Sequence, residues 1–188
     1  MTPKYQLHSN DILTQHVKKH DVNSWEELVS FIRALPYGRN TNRTDLSLVI
    51  KEKKGTCSSK HAFLKKIADL NNIPSVKLIL GMYKMSEANT PKIGAELTTH
   101  HLDYIPEAHC YLKINNKRVD ITSSTSQFSN IEQDILQERE ITPEQVAHFK
   151  VDYHKDYIKK WIIDQDTKFT FDALWKIRET CIKNLTES

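Results

Sequence analysis

The sequence has few glycines, few prolines and no long apolar run. Four glycines and six prolines occur among 188 residues, and 38% of the residues are hydrophobic, which is typical of a globular chain and not of a disordered one. No apolar stretch approaches the roughly 20 residues that a membrane-spanning helix needs. Residues 1–11 lack the basic and then apolar pattern of a secretory signal. We therefore expect a cytoplasmic protein with no membrane partner.

A concentration of one charge is also missing. The formal net charge is +3, and the short basic cluster at residues 51–54 is interrupted by Glu52. A nucleic-acid surface requires a concentrated basic patch, so no nucleic-acid partner is expected. The sequence also lacks internal repeats, low-complexity tracts and clear linkers. A chain of this length is most simply one domain, residues 1–188, although its oligomeric state is not predicted.

Cysteines are too few and too widely spaced for a disulfide framework. Cys57, Cys110 and Cys181 are odd in number, so in a reducing compartment each is a free thiol that serves packing or chemistry. Cys110 and Cys181 fall on apolar stripes and are expected to pack in the core. Cys57 differs, because small residues flank it on both sides in the stretch GTCSS, which precedes a helical pattern.

The elements predicted from periodicity indicate an α+β fold. A capping box at Ser24–Glu27 begins a helix that stops at Pro36. A second helix opens near Cys57, and residues 76–82 alternate as a half-buried strand. Residues 110–121 form a hairpin around the turn pair at 115–116, and the last third of the chain is helical. Helical blocks on either side of a few strands are typical of α+β proteins.

The hairpin register places chemically active side chains on one face. With a two-residue turn, alternation puts His109, Tyr111, Asp120 and Thr122 on one side of the hairpin. The apolar set of Cys110, Leu112, Val119 and Ile121 lies on the other side. His109 and Asp120 are then diagonal neighbours about 7–8 Å apart at the backbone, a gap that their side chains can bridge. If the apolar face packs in the core, the His and the partly exposed Asp face a site.

A thiol near such a pair has a recognisable chemistry. An ordinary thiol has a pKa of about 8.5 and must be activated to act as a nucleophile at neutral pH. The positive end of a helix dipole and a neighbouring imidazolium both favour the thiolate. We therefore predict that Cys57 is the nucleophile, that His109 is the general base, and that Asp120 orients the imidazole.

The order Gly-x-Cys before a helix, His109 on a hairpin and Asp-x-Thr at Asp120 resembles the transglutaminase-like superfamily. The resemblance implies a papain-like α+β core over about residues 24–125, with a nucleophile helix packed on a small antiparallel sheet. A helical C-terminal extension covers about residues 130–188. The resemblance also implies acyl transfer through a Cys57 thioester, with His109 as acid and base and Asp120 as the orienting carboxylate. The substrate would be a peptide, protein or small amide, and the acceptor water or an amine. No cofactor or metal is implied, and no Asp/Asn/Gly calcium loop is visible.

Acyl transfer also requires two hydrogen-bond donors for the oxyanion. One is expected to be the backbone amide of Cys57 at the start of its helix. The second is sought among Tyr37, Asn40 and Asn42, because this polar loop precedes the nucleophile helix and could reach the site.

Two other functions remain open at the level of the sequence. The chain could be a binding module that keeps the fold without the reaction. It could also hold zinc, because Cys57 and His61 are one helical turn apart. The further ligands of such a site would come from His100, His101, His109 and Cys110.

Overall fold

The computed structural model describes residues 5–187, so residues 1–4 of the N-terminal stretch considered above and Ser188 lie outside it. The described chain contains seven α-helices. They are α1 (Ile12–Lys18), α2 (Trp25–Ala34), α3 (Leu48–Lys51), α4 (Cys57–Leu70), α5 (Glu96–Thr99), α6 (His148–Asp164) and α7 (Phe171–Glu187). The predicted capping box begins α2: Ser24 accepts from the amide of Glu27, whose side chain bonds back to Ser24.

Four strands form one antiparallel sheet, which confirms the α+β class. The strands are β1 (Val76–Met85), β2 (Ile105–Ile114), β3 (Lys117–Val119) and β4 (Ile135–Ile141). Their order across the sheet is β3-β2-β1-β4. The central pair is β1 with β2, in which Gly81 lies opposite His109. The pairing of β2 with β3 ends at Leu112, so His109 lies just beyond β3 and has a neighbouring strand on the β1 side alone.

The β2–β3 hairpin has the predicted turn and register. Asn115 and Asn116 have φ angles of 48° and 64°, the left-handed conformation that a two-residue turn needs. The hairpin pairs Ile114 with Lys117 and Leu112 with Val119. Pairing stops there, earlier than expected, so Asp120 leaves the ladder and its carboxylate reaches His109 from beyond the end of β3.

The expectation of a wholly helical segment after residue 130 is wrong. Residues 135–141 form β4, which pairs along β1, and α6 begins only at His148. The sequence ILQEREI gives a weak strand signal because most of its residues are polar and lie on an edge strand with much exposed surface. The division into a core and an extension stays a prediction, but the second part supplies one of the four strands.

Both faces of the sheet are covered, whereas a half-buried strand was predicted. On one face Leu78, Leu80 and Met82 of β1 join a core with α2 and α4. On the other face Ile79, Tyr83 and Tyr111 join a second core. The second core receives its helical side chains mainly from α7, and these are Leu174, Ile177, Cys181 and Ile182. The apolar residues at both alternating positions of β1 are the sequence signal for this arrangement.

The two helical layers bring distant segments to His109. The first turn of α4 approaches from one face and α7 from the other, so the active-site candidates lie between the layers. Within residues 5–187, no helix is both long enough and apolar enough to cross a bilayer.

Candidate active site

Cys57 is the first residue of α4, as predicted. Thr56 is the N-cap: its hydroxyl accepts from the amide of Ser59, and the Ser59 hydroxyl accepts from the amide of Thr56 at 2.9 Å. The small residues around the thiol therefore form a capping box, a role that the sequence analysis missed because the third residue is Ser instead of Glu or Gln. This box satisfies two of the amides at the helix start. Among the described groups, none accepts from the amides of Cys57 and Ser58, which leaves two donors beside the sulfur.

His109 and Asp120 form the predicted contact. Nε2 of His109 and Oδ2 of Asp120 are 2.9 Å apart. The other carboxylate oxygen, Oδ1, accepts from the amide of Thr122 at 2.9 Å and from its hydroxyl at 2.5 Å. Three hydrogen bonds thus fix the carboxylate. The Asp-x-Thr spacing has a local cause, because the carboxylate bonds to the backbone two residues later.

The expected partial exposure of Asp120 is wrong. Its relative exposure is 7%, because the second core and residues 121–131 cover this side of the hairpin. Burial raises the pKa of the carboxyl, but His109 and the hydrogen bonds outweigh it and hold the pKa far below the usual range. Asp120 is therefore ionised at all physiological pH values.

The thiol of Cys57 and the ring of His109 interact and polarise each other. Burial raises the pKa of Cys57, whereas Lys150, His109 and the backbone N–H of Cys110 lower it, giving a value of about 6. Burial lowers the pKa of His109, whereas Asp120 and Cys57 raise it to about 10. A thiolate–imidazolium pair is the dominant form between these two pH values. Since Nε2 faces Asp120, Nδ1 is the nitrogen left for the sulfur.

Among the described residues, no imidazole lowers the pKa of either of the other two thiols. Cys110 and Cys181 are fully buried in the first and the second core, as predicted. Burial raises the pKa of each thiol to about 12. The acidity of Cys57 is therefore specific to its position.

Tyr37, one of the candidate oxyanion donors, lies beside Cys57. Its backbone forms a single parallel bridge with Gly55, which places the ring next to the start of α4. Burial, followed by the charges of Cys57 and Glu107, raises the pKa of the phenol far above its usual value. The hydroxyl is therefore kept protonated and is available as a donor.

Asn40 and Asn42 are not available for this role, so that part of the prediction needs correction. The amide nitrogen of Asn40 donates to Leu48 O, Glu52 Oε2 and Lys54 O at 3.0–3.3 Å. Asn42 is exposed, lines neither cavity beside Cys57, and accepts through its side-chain oxygen from the amide and hydroxyl of Thr44. Both side chains shape the loop that carries Tyr37. The sequence could not separate them from Tyr37, because all three are polar or amphipathic residues of one loop.

His61 braces the nucleophile helix and cannot serve the zinc alternative. Nδ1 of His61 donates to the carbonyl of Cys57 at 2.7 Å, and Nε2 accepts from the amide of Ile121 at 2.8 Å. Both ring nitrogens are therefore used by backbone groups. Within residues 5–187, no group of three or more His, Cys, Asp or Glu side chains is arranged to hold a metal ion. His61 instead ties the start of α4 to the residue that follows Asp120.

Two cavities meet at Cys57. The first, about 470 Å³, is lined by several basic side chains and is called here the basic cavity. The second, about 350 Å³, is lined by Thr90, Thr122 and several Ser and Thr side chains of residues 123–126 and is called the hydroxyl cavity. Cys57, Tyr37 and Glu107 line both. The thiol thus lies at the junction of a continuous cleft, where a substrate could extend in both directions.

Several charged residues of the cleft escaped the sequence analysis. Lys150 of α6 has the largest effect among the groups that lower the pKa of the Cys57 thiol. Glu107 of β2 and Arg178 of α7 form a buried bidentate ion pair. These residues are far from Cys57 in sequence, and a lysine or arginine in a helix is usually at the surface. The one signal was the position of Glu107, two residues before His109 and therefore on the same face of β2.

Comparisons with known proteins leave the family open. No protein-family model matches the chain, and no curated protein matches its sequence. Among solved structures, it is similar to a candidate cysteine protease from Cytophaga hutchinsonii, with 13% identity and a TM-score of 0.40. The match covers 73% of this chain and 44% of the other, so the chain spans less than half the length of that protein. The site is therefore assigned from its own geometry.

Proposed function

We propose that this protein is a cysteine-dependent acyl-transfer enzyme that acts on an amide or peptide bond. The proposal rests on one observation, the chain of contacts from Cys57 through His109 to a buried, ionised Asp120 at the junction of two cavities. The chain order of these residues also supports the resemblance to the transglutaminase-like superfamily.

The proposed reaction has two steps. The thiolate of Cys57 attacks the carbonyl carbon, and His109 donates its Nδ1 proton to the leaving amine as the C–N bond breaks. The product is a thioester on Cys57. His109 then takes a proton from water or from an acceptor amine, which attacks the thioester and releases the thiolate. Asp120 stays ionised throughout, and it holds the ring orientation and stabilises the imidazolium.

The oxyanion of each tetrahedral intermediate needs donors on the other side of the sulfur. The unpaired amides at the start of α4 supply one or two, with the helix dipole in the same direction. The protonated hydroxyl of Tyr37 supplies a further one. Because Tyr37 is held by the bridge to Gly55, it is positioned before a substrate binds.

Alkylation at different pH values tests the nucleophile. We expect the rate of Cys57 labelling by iodoacetamide to rise with a midpoint near pH 6, its pKa. At pH 7 Cys57 should react about thirtyfold faster than an ordinary thiol, which is about 3% ionised. Cys110 and Cys181 should remain unlabelled in the folded protein. Peptide mass spectrometry distinguishes the three sites, and equal labelling of all three would contradict the proposal.

A second measurement separates an enzyme from a binding module. An activated ester such as 4-nitrophenyl acetate should acylate Cys57, with release of one equivalent of 4-nitrophenolate and a mass increase of one acetyl group. Cys57→Ser should abolish this burst while the fold is retained. A protein that is alkylated normally but is never acylated would be a module with a reactive thiol.

A further inference from the structure

The basic cavity has an excess of positive side chains. Two acidic residues line it among the residues that the structure describes, Glu107 and Glu179. Five basic residues line it, and these are Arg39, Arg43, Lys150, Lys155 and Arg178. His154 is also present, but burial, which outweighs the opposing effect of Glu107, lowers its pKa to about 4 and keeps it neutral. The wall therefore has a net positive charge before the thiolate is counted.

The two acids already have partners. Glu107 accepts from Nε and Nη2 of Arg178 at 2.7 and 2.5 Å. Glu179 accepts from Arg178 at 2.6 Å and from Arg39 at 2.8 Å. Four side chains thus neutralise one another in a connected network. The network fixes α7 against β2 and leaves no acid of the cavity for the other cations.

Three cations of the cavity consequently form no salt bridge with an acid of the described chain, although the charge of Glu179 raises the pKa of Arg43. They are Arg43 of the loop before α3, and Lys150 and Lys155 of α6. Lys155 lies over the ring of Trp175, with its nitrogen 5.6 Å from the centroid. The charge of Lys150 is used partly by the thiolate of Cys57, but Arg43 has no comparable role. Burial and the charges of Arg39 and Arg178 outweigh the effect of Glu179 and lower the pKa of Arg43.

We propose that the basic cavity binds a carboxylate of the acyl substrate through Arg43, Lys150 and Lys155. The inference rests on the proposed function, because the substrate is then a peptide-like amide whose acidic side chain or terminal carboxylate lies near the scissile bond. A guanidinium suits a carboxylate through two parallel hydrogen bonds. The cavity volume of about 470 Å³ lies in the range of known ligand sites. The enzyme therefore selects acidic substrates over neutral ones of equal size.

A pair of matched thiol reagents tests this selectivity at Cys57. The reagents are the α-amides of N-iodoacetyl-glutamate and N-iodoacetyl-glutamine, which differ only in one carboxylate. Both react with the same thiolate, so the ratio of their second-order rate constants cancels any change in the pKa of Cys57. We expect the anionic reagent to react about three- to tenfold faster, the effect of unit charges several ångströms away in a partly hydrated cavity.

Variants then assign the selectivity to the cavity. Arg43→Gln and Lys150→Met should each lower the ratio, and the double variant should bring it close to one. Lys51→Met, at an exposed position of α3 outside the cavity, should leave the ratio unchanged. Arg43 is itself exposed at the cavity mouth, so its replacement is compatible with folding. A ratio that is the same in the wild type and in both cavity variants would overturn the inference.

The same experiment separates the two proposals. If Cys57 reacts rapidly with both reagents but shows no dependence on charge, the carboxylate inference is wrong and the nucleophile stands. If Cys57 reacts with neither reagent faster than Cys110 and Cys181 do, the proposed function is wrong, and the substrate inference is overturned with it.

Discussion

At the scale of single residues, the three cysteines differ because their neighbours differ. Cys110 and Cys181 are fully buried, and burial raises the pKa of each to about 12, because the cations that act on them, Lys150 at Cys110 and Arg178 at Cys181, do not offset it. Cys57 is also buried, with 8% exposure, but it has Lys150, His109 and a helix N-terminus around it, and its pKa is about 6. Burial therefore keeps Cys110 and Cys181 protonated, whereas His109 and Lys150 together favour the thiolate form of Cys57.

Asp120→Asn tests the orienting carboxylate. The amide and hydroxyl of Thr122 both donate to one oxygen of Asp120, so the oxygen of Asn will stay on that side and its NH₂ will face His109. Nε2 of His109 must then accept a hydrogen bond, so the ring proton moves to Nδ1. Nδ1 is then already protonated and cannot take the proton of the Cys57 thiol. We expect the midpoint for alkylation of Cys57 to rise toward 8.5. The rate at pH 7 should then fall about thirtyfold.

Turnover of any substrate that requires Cys57 should fall more steeply in Asp120→Asn, by up to about four orders of magnitude. Asp152→Asn is the matched control, because Asp152 is exposed on α6. An alkylation profile of Asp120→Asn identical to that of the wild type would contradict the assigned role.

Tyr37→Phe tests the oxyanion donor. Alkylation by iodoacetamide forms no oxyanion, so its rate should change by less than about threefold. Acylation by 4-nitrophenyl acetate passes through an oxyanion, and loss of one donor should slow it by about 10²–10³. The two rates are measured on the same sample. If both rates fall together, Tyr37 supports the structure of the site, and if neither falls, the backbone amides alone bind the oxyanion.

The sequence was sufficient for residues whose relation is local. Alternation along the hairpin predicted that His109 and Asp120 would meet, and they do so at 2.9 Å. Lys150 and Arg178 could not be predicted, because they approach Cys57 from helices about 90 and 120 residues away. Their position depends on how α6 and α7 pack on the sheet, and periodicity within a segment carries no such information.

At the scale of elements, the first turn of α4 does three things at once. Its capping box closes the N-terminal end of the helix. Lys60 donates to the carbonyls of Leu35 and Thr122, and His61 accepts from the amide of Ile121. The same turn thus connects α2, Cys57 and the segment that follows Asp120. The position of the thiol relative to His109 is therefore set by side chains that do not react.

Gly55→Ala tests how tightly this turn is built. A Cβ at position 55 would lie 2.8 Å from Cγ of Lys60 and 2.9 Å from Oγ of Ser59, both of which hold the turn in place. We expect the free energy of unfolding to fall by about 1–3 kcal/mol and the alkylation of Cys57 at pH 7 to slow. Gly38→Ala is the control, since its Cβ would meet Cδ of Lys54 at 3.2 Å, a side-chain atom that can move. Similar losses in the two variants, measured by urea unfolding, would argue against a special role for the turn.

The helices and strands differed in how strongly their sequence patterns predict them. The sequence predicted α2 from its capping box to Pro36, and it predicted the start of α4 near Cys57. The strand β4 was missed, because it lies at the edge of the sheet and most of its residues are polar. The prediction that one face of the sheet is open was wrong for a different reason. The alternation along β1 predicts one buried face, but Ile79 and Tyr83 are apolar and bury the other face as well.

At the scale of the whole molecule, buried polar groups attach the C-terminal helices α6 and α7 to the sheet. Arg178 of α7 pairs with Glu107 of β2 at 8% and 5% exposure. His154 of α6 donates from Nε2 to the carbonyl of Pro106 at 2.9 Å. Removal of one partner of such a buried pair costs more than the pair contributes. The C-terminal helices are therefore held in one position over the cleft, where α6 supplies Lys150.

The buried histidines make the stability of the molecule depend on pH. Burial lowers the pKa values of His61 and His154 to about 4, below the unfolded value of about 6.5. As the pH falls from 6.5 to 4, the unfolded chain binds protons that the folded chain does not, so the free energy of unfolding falls. The pKa of His109 is raised to about 10, and its contribution is lost only as the pH rises from 6.5 through 10. Between pH 4.5 and 6, the contribution of His109 to the free energy of unfolding is constant, so it does not offset the loss of stability that His61 and His154 cause.

His154→Gln isolates one of these protons. The amide nitrogen of Gln occupies the place of Nε2 and can donate to the carbonyl of Pro106, but it does not titrate. We expect urea unfolding at pH 4.5–6.0 to show a slope of stability with pH that is smaller by close to one proton, about 1 kcal/mol per pH unit. His148→Gln, at the exposed start of the same helix, is the matched control. If the variant and the wild type lost stability equally on acidification, His154 would be charged in the folded protein. The buried hydrogen bond between His154 of α6 and Pro106 of β2 would then be arranged differently.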